Sequence, residues 1–194
     1  LLIINIMKKL ESTITNMVIS LVVISAVMSF ALSYVHKVTL EPIKQGDIEA
    51  KKRSLQAVLP KFNNNPMEEN KTIDGIVFYI AKNGNNVVGY AAETFSDKAY
   101  SGTIKIMVGF LPDGTIYKTN VLEQKETPGL GSKIKTEWNE QFNNKNPKEF
   151  KVMVKKDGGS VDAISGATIS SRAYCDAINK AYDVFTKNFL QENK

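Results

Sequence analysis

The stretch GTIKIMVGFLPDGTIYKTNVLE, residues 102–123, decides the fold class of this chain. Two runs rich in β-branched and aromatic residues, GTIKIMVGF (102–110) and TIYKTNVLE (115–123), flank the turn sequence LPDG (111–114). Runs of this composition separated by turn residues predict a β-hairpin, because the turn reverses the chain and lets the two runs pair.

The segments on the N-terminal side extend this pattern. GIVFYIA (75–81) and VVGYAAETF (87–95) flank KNGNN (82–86), which predicts a second hairpin and therefore an antiparallel sheet. Before it, KQGDIEAKKRSLQAVLP (44–60) spaces apolar residues among charges as an amphipathic helix does.

On the C-terminal side, KIKTEWNEQFNN (133–144) is predicted to be helical, FKVMVKK (150–156) a strand and DGGSVDAISGAT (157–168) a loop. From Ser170 onward, apolar residues recur at helical spacing at Tyr174, Ile178, Ala181, Phe185 and Phe189. The predicted class is α+β, with an antiparallel sheet and packed helices.

The N-terminal region contains 24 consecutive uncharged residues, from Ser12 to Val35. As a helix this run would extend roughly 36 Å, enough to cross a bilayer. We expect a cytoplasmic segment over 1–11, in which Met7 has the form of a start residue, a transmembrane helix over 12–36, and one domain over 37–194. A cleaved signal peptide is the alternative, but its apolar region is usually only about 7–15 residues long.

The composition excludes several kinds of site. Cys175 is the only cysteine and His36 the only histidine, which is too few for an iron–sulfur cluster, a c-type haem or a common zinc site. We therefore expect no metal centre and no catalytic side chain of the Ser-His-Asp type, so that any chemistry must come from an organic cofactor. The net charge of +5 is spread over the chain and does not predict nucleic-acid binding.

The first candidate loop is QKETPGLGSKI, residues 124–134. Pro128-Gly129 is typical of a type II turn, and a turn after a strand is one interpretation. Alternatively, Gly129 and Gly131 let the backbone approach a flat ligand, with Leu130 as an apolar surface and Glu126 and Thr127 as polar groups.

The second candidate loop is DAISGATIS, residues 162–170. Its hydroxyl groups could cap the helix that follows. Equally, a phosphate beside Thr168 would meet exposed N–H groups and the positive end of the helix dipole, with Ser170 and Ser171 capping the helix.

Together these features resemble the FMN-binding domain of the G subunit of Rnf complexes and of the C subunit of sodium-translocating NADH:quinone oxidoreductases. The resemblance depends on an apolar N-terminal segment, GTIKIMVGFLPDGTI, ETPGLG and a D-x-x-[ST]-G-A-T pattern in that order. The pattern falls on Asp162, Ser165, Gly166, Ala167 and Thr168.

The resemblance implies a covalent cofactor. In that family a flavin transferase cuts FAD and links FMN through its phosphate to the last Thr of the pattern, here Thr168. Asp162, Ser165, Gly166 and Ala167 match the sequence that the transferase recognises. By resemblance the loop residues lie against the flavin, as does a segment before the long strand: Glu126, Thr127, Pro128, Gly129, Leu130 and Gly131, with Tyr100, Ser101 and Gly102. Gln124 stands where many relatives have His, so no proton transfer is expected there.

The resemblance also implies the function. The chain would be an electron-transfer subunit of an ion-translocating ferredoxin:NAD oxidoreductase, with its domain on the extracytoplasmic side of the bacterial cytoplasmic membrane and no turnover alone. Its partners would be the lipid bilayer, the other Rnf subunits, especially the other FMN-bearing membrane subunit, and the flavin transferase. The alternatives are the C subunit of the quinone reductase and a cofactor-free, membrane-tethered binding module.

Several other residues invite a functional interpretation but are expected to be structural. Lys133 and Lys135 are interpreted as solvated, although they could favour an anionic flavin. Trp138, Tyr174 and Cys175 are expected in the core.

Overall fold

The computed structural model describes residues 13–190. They form two compact units, one ending at Ile48 and the other beginning at Glu49. The predicted cytoplasmic segment 1–11 lies outside the described residues. The predicted boundary between 36 and 37 falls inside a helix, and that division of the chain stays a prediction.

Helix α1 runs from Ile14 to Val58 and is long and apolar enough to cross a membrane. Its apolar side chains from Ile14 to Ile43 are exposed, so no protein core covers them within the described residues. A bilayer would remove this apolar surface from water.

The second unit contains a five-stranded antiparallel sheet in which each strand pairs with the next along the chain. Both predicted hairpins are confirmed. The strands are β1 (Asn70–Ile73), β2 (Ile76–Asn83), β3 (Asn86–Ala99), β4 (Gly102–Phe110) and β5 (Ile116–Glu123). The short edge strand β1 was not among the predicted elements.

Helix α2, Thr168–Phe185, covers one face of this sheet. The larger core forms there from Phe78, Ile106 and Phe110 of the strands and Tyr174 and Phe185 of the helix, all fully buried. The α+β class is therefore confirmed.

The opposite face of the sheet is covered by the last turns of α1. Leu55 and Val58 pack against Tyr79 and Met107 there. Gly109 permits this packing, because a Cβ atom on it would lie 1.7 Å from the carbonyl oxygen of Val58.

The predicted strand at 150–156 is wrong. Val152 and Val154 alternate into the core as strand residues would, but the backbone pairs with the glycine-containing loop that follows it. The N–H of Val161 donates to the carbonyl of Met153 at 2.9 Å, and that of Lys155 donates to the carbonyl of Val161 at 2.8 Å. The segment thus satisfies its hydrogen bonds locally and does not join the sheet.

The predicted helix at 133–144 is helical, but it consists of two 3₁₀ helices, Gly131–Lys135 and Glu137–Phe142. Thr136 separates them in an extended conformation, and its hydroxyl donates to the carbonyl of Lys133 at 2.8 Å. This side-chain hydrogen bond competes with continuation of a helix.

Candidate functional site

A cavity of about 670 Å³ lies where the loop after β5, the turn between β3 and β4, and the start of α2 meet. Its volume is within the range of roughly 300–1,000 Å³ typical of cofactor and ligand sites. It is lined by Tyr100, Glu126, Thr127, Leu130, Gly131, Lys156, Gly166, Ala167, Thr168, Ile169 and Ser170. The structure therefore brings both candidate loops to one site.

Glu126 joins the three segments that form the cavity. Its side chain is buried, and its carboxylate accepts a hydrogen bond from the backbone N–H of Ser101 at 2.8 Å and another from the hydroxyl of Ser170. A Cβ atom on Gly131 would lie 2.5 Å from Glu126 Oε2 and 2.7 Å from Ser170 Oγ. Glycine at 131 is therefore required by the close approach of these two side chains.

The turn predicted at Pro128-Gly129 is present. The N–H of Leu130 donates to the carbonyl of Thr127 at 3.2 Å, and Gly129 has a φ of +75°, as a type II turn requires. Pro128 and Gly129 do not line the cavity, but the turn that they form brings Leu130 to its wall, where it is partly exposed.

Thr168 is the first residue of α2. The preceding Gly166 has a φ of +76°, and the N–H of Ala167 donates to the carbonyl of Ile164 at 3.0 Å, which closes a turn directly before the helix. Ala167, at the N-cap, makes no side-chain capping hydrogen bond. The positive end of the helix dipole thus opens beside Thr168 at the cavity.

The expectation that Ser170 and Ser171 cap the helix is wrong, because both lie inside it. Ser170 donates to Glu126, whereas the Ser171 hydroxyl accepts from the N–H of Ile164 at 3.0 Å and donates to the carbonyl of Ala167 at 3.0 Å. Ser171 fixes the preceding turn onto the helix.

Asp162 and Ser165 are exposed and do not line the cavity. Asp162 forms an ion pair with Lys155 at 2.7 Å, and its backbone carbonyl accepts a hydrogen bond from the indole N–H of Trp138 at 2.6 Å. Gly102 and Ser101 are also absent from the lining, although Ser101 contributes through its N–H to Glu126. The exposed pair is accessible to another protein.

Lys156 is the one basic residue among 13–190 that lines the cavity. Neighbouring cations are engaged in ion pairs, Lys155 with Asp162 and Arg172 with Asp157 at 2.7 Å. The hydrogen bond from Arg172 lowers the pKa of Asp157. Lys133 and Lys135 are exposed and lie outside the lining, as the solvated interpretation predicts.

Three lining residues were not predicted as flavin contacts from the sequence: Lys156, Ile169 and Ser170. Ile169 and Ser170 adjoin the identified Thr168, so their proximity was a usable signal. The position of Lys156 depends on the local pairing of 150–161, for which the sequence pattern indicates a strand instead.

The core roles predicted for three residues are confirmed. Tyr174 is fully buried and donates its hydroxyl to Thr119 Oγ1 at 2.8 Å, while Trp138 packs edge-on against it. Burial raises the pKa of the Cys175 thiol to about 12, so this thiol stays protonated near neutral pH.

Comparisons with known proteins place the chain in a family. Residues 99–183 match the model of the FMN-binding domain family. The chain is 34% identical to the G subunit of the Na⁺-translocating ferredoxin:NAD⁺ oxidoreductase complex of Acetobacterium woodii, over 85% of this chain and 88% of that protein. It is 38% identical to the G subunit of the ion-translocating oxidoreductase complex of Haemophilus influenzae, over 73% and 75%.

Among solved structures, the crystal structure of Shewanella oneidensis NqrC covers 70% of this chain and 69% of its own, with a TM-score of 0.50 and 21% identity. This likeness supports the fold.

Proposed function

This chain belongs to the G-subunit family of ion-translocating oxidoreductase complexes, and on that premise we propose that it carries FMN, joined by a phosphoester to Thr168, as an electron carrier of such a complex. The observation that carries the proposal is the position of Thr168, at the first turn of α2 and at the wall of the cavity. The match of residues 99–183 to the FMN-binding domain supports the choice of cofactor.

The residues around the cavity fit FMN. A phosphate bonded to Thr168 would lie at the positive end of α2 and near the ammonium group of Lys156, both of which favour an anion. Leu130, Ile169 and Tyr100 are exposed apolar side chains that line the cavity and would cover the faces of a flat ring.

The bound flavin would supply the electron transfer, since it accepts and donates electrons, which none of the lining side chains does at ordinary potentials. The protein's own part is to hold and shield the cofactor. Thr168 tethers it, Lys156 offsets the charge of the phosphate, and the apolar side chains limit access of water to the ring. A covalent link also prevents loss of the cofactor from a site outside the cytoplasm.

Attachment requires a separate enzyme. The hydroxyl oxygen of Thr168 would attack the FMN phosphorus of FAD, the bond to the AMP phosphate would break, and the hydroxyl proton would leave with the products. The exposed side chains of Asp162 and Ser165 are accessible to a flavin transferase that recognises them. This exposure supports a recognition role in place of a cofactor contact.

The remaining parts of the proposal concern location and partners. Helix α1 would anchor the chain in the cytoplasmic membrane, with the FMN domain on the extracytoplasmic side and the other complex subunits as electron donors and acceptors. Like the relative from Acetobacterium woodii, the complex would couple ferredoxin and NAD⁺ to ion translocation. A role as the quinone-reductase C subunit is the alternative, and identification of the copurified subunits distinguishes the two.

The test is the intact mass of the full chain, produced with and without a flavin transferase. We expect the transferase to add one FMN less one water and to yield a band that fluoresces on a denaturing gel. Peptide mapping should place the addition on Thr168. A cofactor-free binding module would show no addition in either preparation.

Two variants locate the bond. Thr168→Ala should abolish the mass increment and the fluorescent band, because the attacking hydroxyl is gone. Thr127→Ala removes another threonine hydroxyl from the same cavity and should retain both. A fluorescent band in Thr168→Ala would show that the bond lies elsewhere.

A further inference from the structure

Glu126 differs from the other buried or half-buried carboxylates of the second unit. Glu93 pairs with Lys51, Asp176 with Lys98 and Lys180, and Asp157 with Arg172. Glu126 is only 5% exposed. It takes part in none of the ion pairs formed within residues 13–190.

The two donors to Glu126 are both neutral. The N–H of Ser101 reaches Oε1 and the hydroxyl of Ser170 reaches Oε2, so the hydrogen bonds disperse the negative charge without cancelling it. Burial also removes most screening by water and salt. No cation within residues 13–190 therefore pairs with this carboxylate at the wall of the cavity.

We propose that Glu126 holds a fixed negative charge beside the bound flavin and thereby lowers its reduction potential. This inference rests on the proposed function, since it requires FMN in the cavity. Glu126 and the apolar residues that would cover the ring line the same cavity, and charges in a protein interior still interact appreciably over separations of this order. Each electron added to the flavin increases its negative charge, so the repulsion from Glu126 makes reduction less favourable.

Lys156 does not cancel this effect. A phosphoester that links FMN to Thr168 carries one negative charge of its own, and Lys156 together with the start of α2 would offset that charge. The charge of Glu126 remains as the excess in the cavity. Glu126 would therefore tune the potential as well as joining the three segments.

The test compares two glutamates in the transferase-loaded full chain. Glu126→Gln removes the charge while keeping nearly the same shape, and it should shift the flavin midpoint potential to a more positive value in a spectroelectrochemical titration. Glu93→Gln is the matched control, because Glu93 is partly buried but bonds to Tyr79 and Lys51 on the α1 side of the sheet. It should leave the potential unchanged. Equal potentials in wild type and Glu126→Gln would overturn the inference.

Ser170→Ala provides a second test with the opposite sign. It removes one donor and keeps the carboxylate, so at a pH where the carboxylate stays ionised the negative charge is less dispersed and the potential should become more negative. A purely structural role for Glu126 predicts weaker flavin loading or lower stability in both variants, but not potential shifts of opposite sign. If Glu126→Gln does not load, a zero or positive shift in Ser170→Ala overturns the inference.

The two measurements distinguish a failure of FMN loading from a failure of Glu126 to change the flavin potential. A wild-type chain without the FMN mass increment would contradict the proposed function. A loaded wild type with potentials that do not respond to either variant would contradict only the inference about Glu126.

Discussion

Each side of the sheet contains a glutamate that is removed from solvent, but the two glutamates have opposite kinds of partner. On the α1 side, Glu93 pairs with Lys51 at 3.0 Å and accepts a hydrogen bond from the hydroxyl of Tyr79 at 3.0 Å. Burial and the charge of Glu93 raise the pKa of Tyr79. On the α2 side, Glu126 has two neutral donors and faces a cavity. The first arrangement neutralises charge and attaches a helix to the sheet, whereas the second leaves charge where a cofactor would bind.

Gly109 and Gly131, one on each side of the sheet, also differ in what they contact. Gly109 on the α1 side lies against the backbone of Val58, which cannot move without moving the helix. Gly131 on the α2 side lies against Glu126 and Ser170, whose oxygen atoms can rotate away, whereas the Glu126 Cβ, 2.8 Å from an added Cβ, is fixed to the loop backbone. The α1 side should therefore respond to substitution mainly through stability, and the α2 side mainly through flavin binding.

The largest effect is expected from Gly109→Ala. The added Cβ would lie 1.7 Å from the Val58 carbonyl oxygen, so the end of α1 must separate from β4. We expect the free energy of unfolding to fall by about 3 kcal/mol, the upper part of the range for overpacked cores. Denaturant unfolding followed by the fluorescence of Trp138, the only tryptophan, measures this change.

The control for this prediction is Gly46→Ala, because a Cβ atom at that helical position meets no atom within 4 Å. It should leave stability unchanged or increase it by up to about 1 kcal/mol. Folded Gly109→Ala protein should still accept FMN, and loss of flavin loading at unchanged stability would contradict the division between the two sides.

An intermediate effect is expected from Gly131→Ala. The new Cβ would displace the Glu126 carboxylate and the Ser170 hydroxyl from each other, at a cost of about 1–3 kcal/mol in unfolding free energy. The larger consequence should be for the site, since the hydrogen bond that joins the loop to α2 is broken. We expect transferase-dependent FMN incorporation, measured by intact mass, to fall more than tenfold.

Gly129→Ala serves as the comparison for Gly131→Ala. A Cβ at Gly129 meets no neighbour, but its φ of +75° makes the substitution a test of turn strain alone. Destabilisation of about 1 kcal/mol with incorporation largely retained is expected. Equal losses of incorporation in the two variants would show that turn strain, not the Glu126–Ser170 contact, limits flavin binding.

The sequence predicted the parts of this molecule that short-range physics determines. The turns between β2 and β3 and at Pro128-Gly129 follow from residues that set or tolerate particular backbone angles. The alternation over 150–156 correctly indicated burial of Val152 and Val154, but alternation does not specify which backbone supplies the hydrogen bonds. For this reason the predicted strand was wrong.

In the candidate site, too, some features were predictable from the sequence and others were not. The family resemblance predicted a role for Thr168 and the 126–131 loop, and the structure places Thr168, Glu126, Thr127, Leu130 and Gly131 at one cavity. The contact between Glu126 and Ser170 and the approach of Lys156 to the cavity depend on residues far apart in sequence. Periodicity and turn signals carry no information about such distances.

The smallest effect on stability, and therefore the sharpest separation of stability from function, is expected from Lys156→Gln. Within the described part of the chain Lys156 forms no ion pair, and its side chain is exposed, so the unfolding free energy should change by less than about 0.5 kcal/mol. FMN incorporation should nevertheless slow several-fold in a time course with the transferase, because the cation beside the incoming phosphate is lost. Lys135→Gln removes an equally exposed lysine that does not line the cavity and should leave the rate unchanged. Equal rates for both variants would mean that the start of α2 alone accommodates the phosphate.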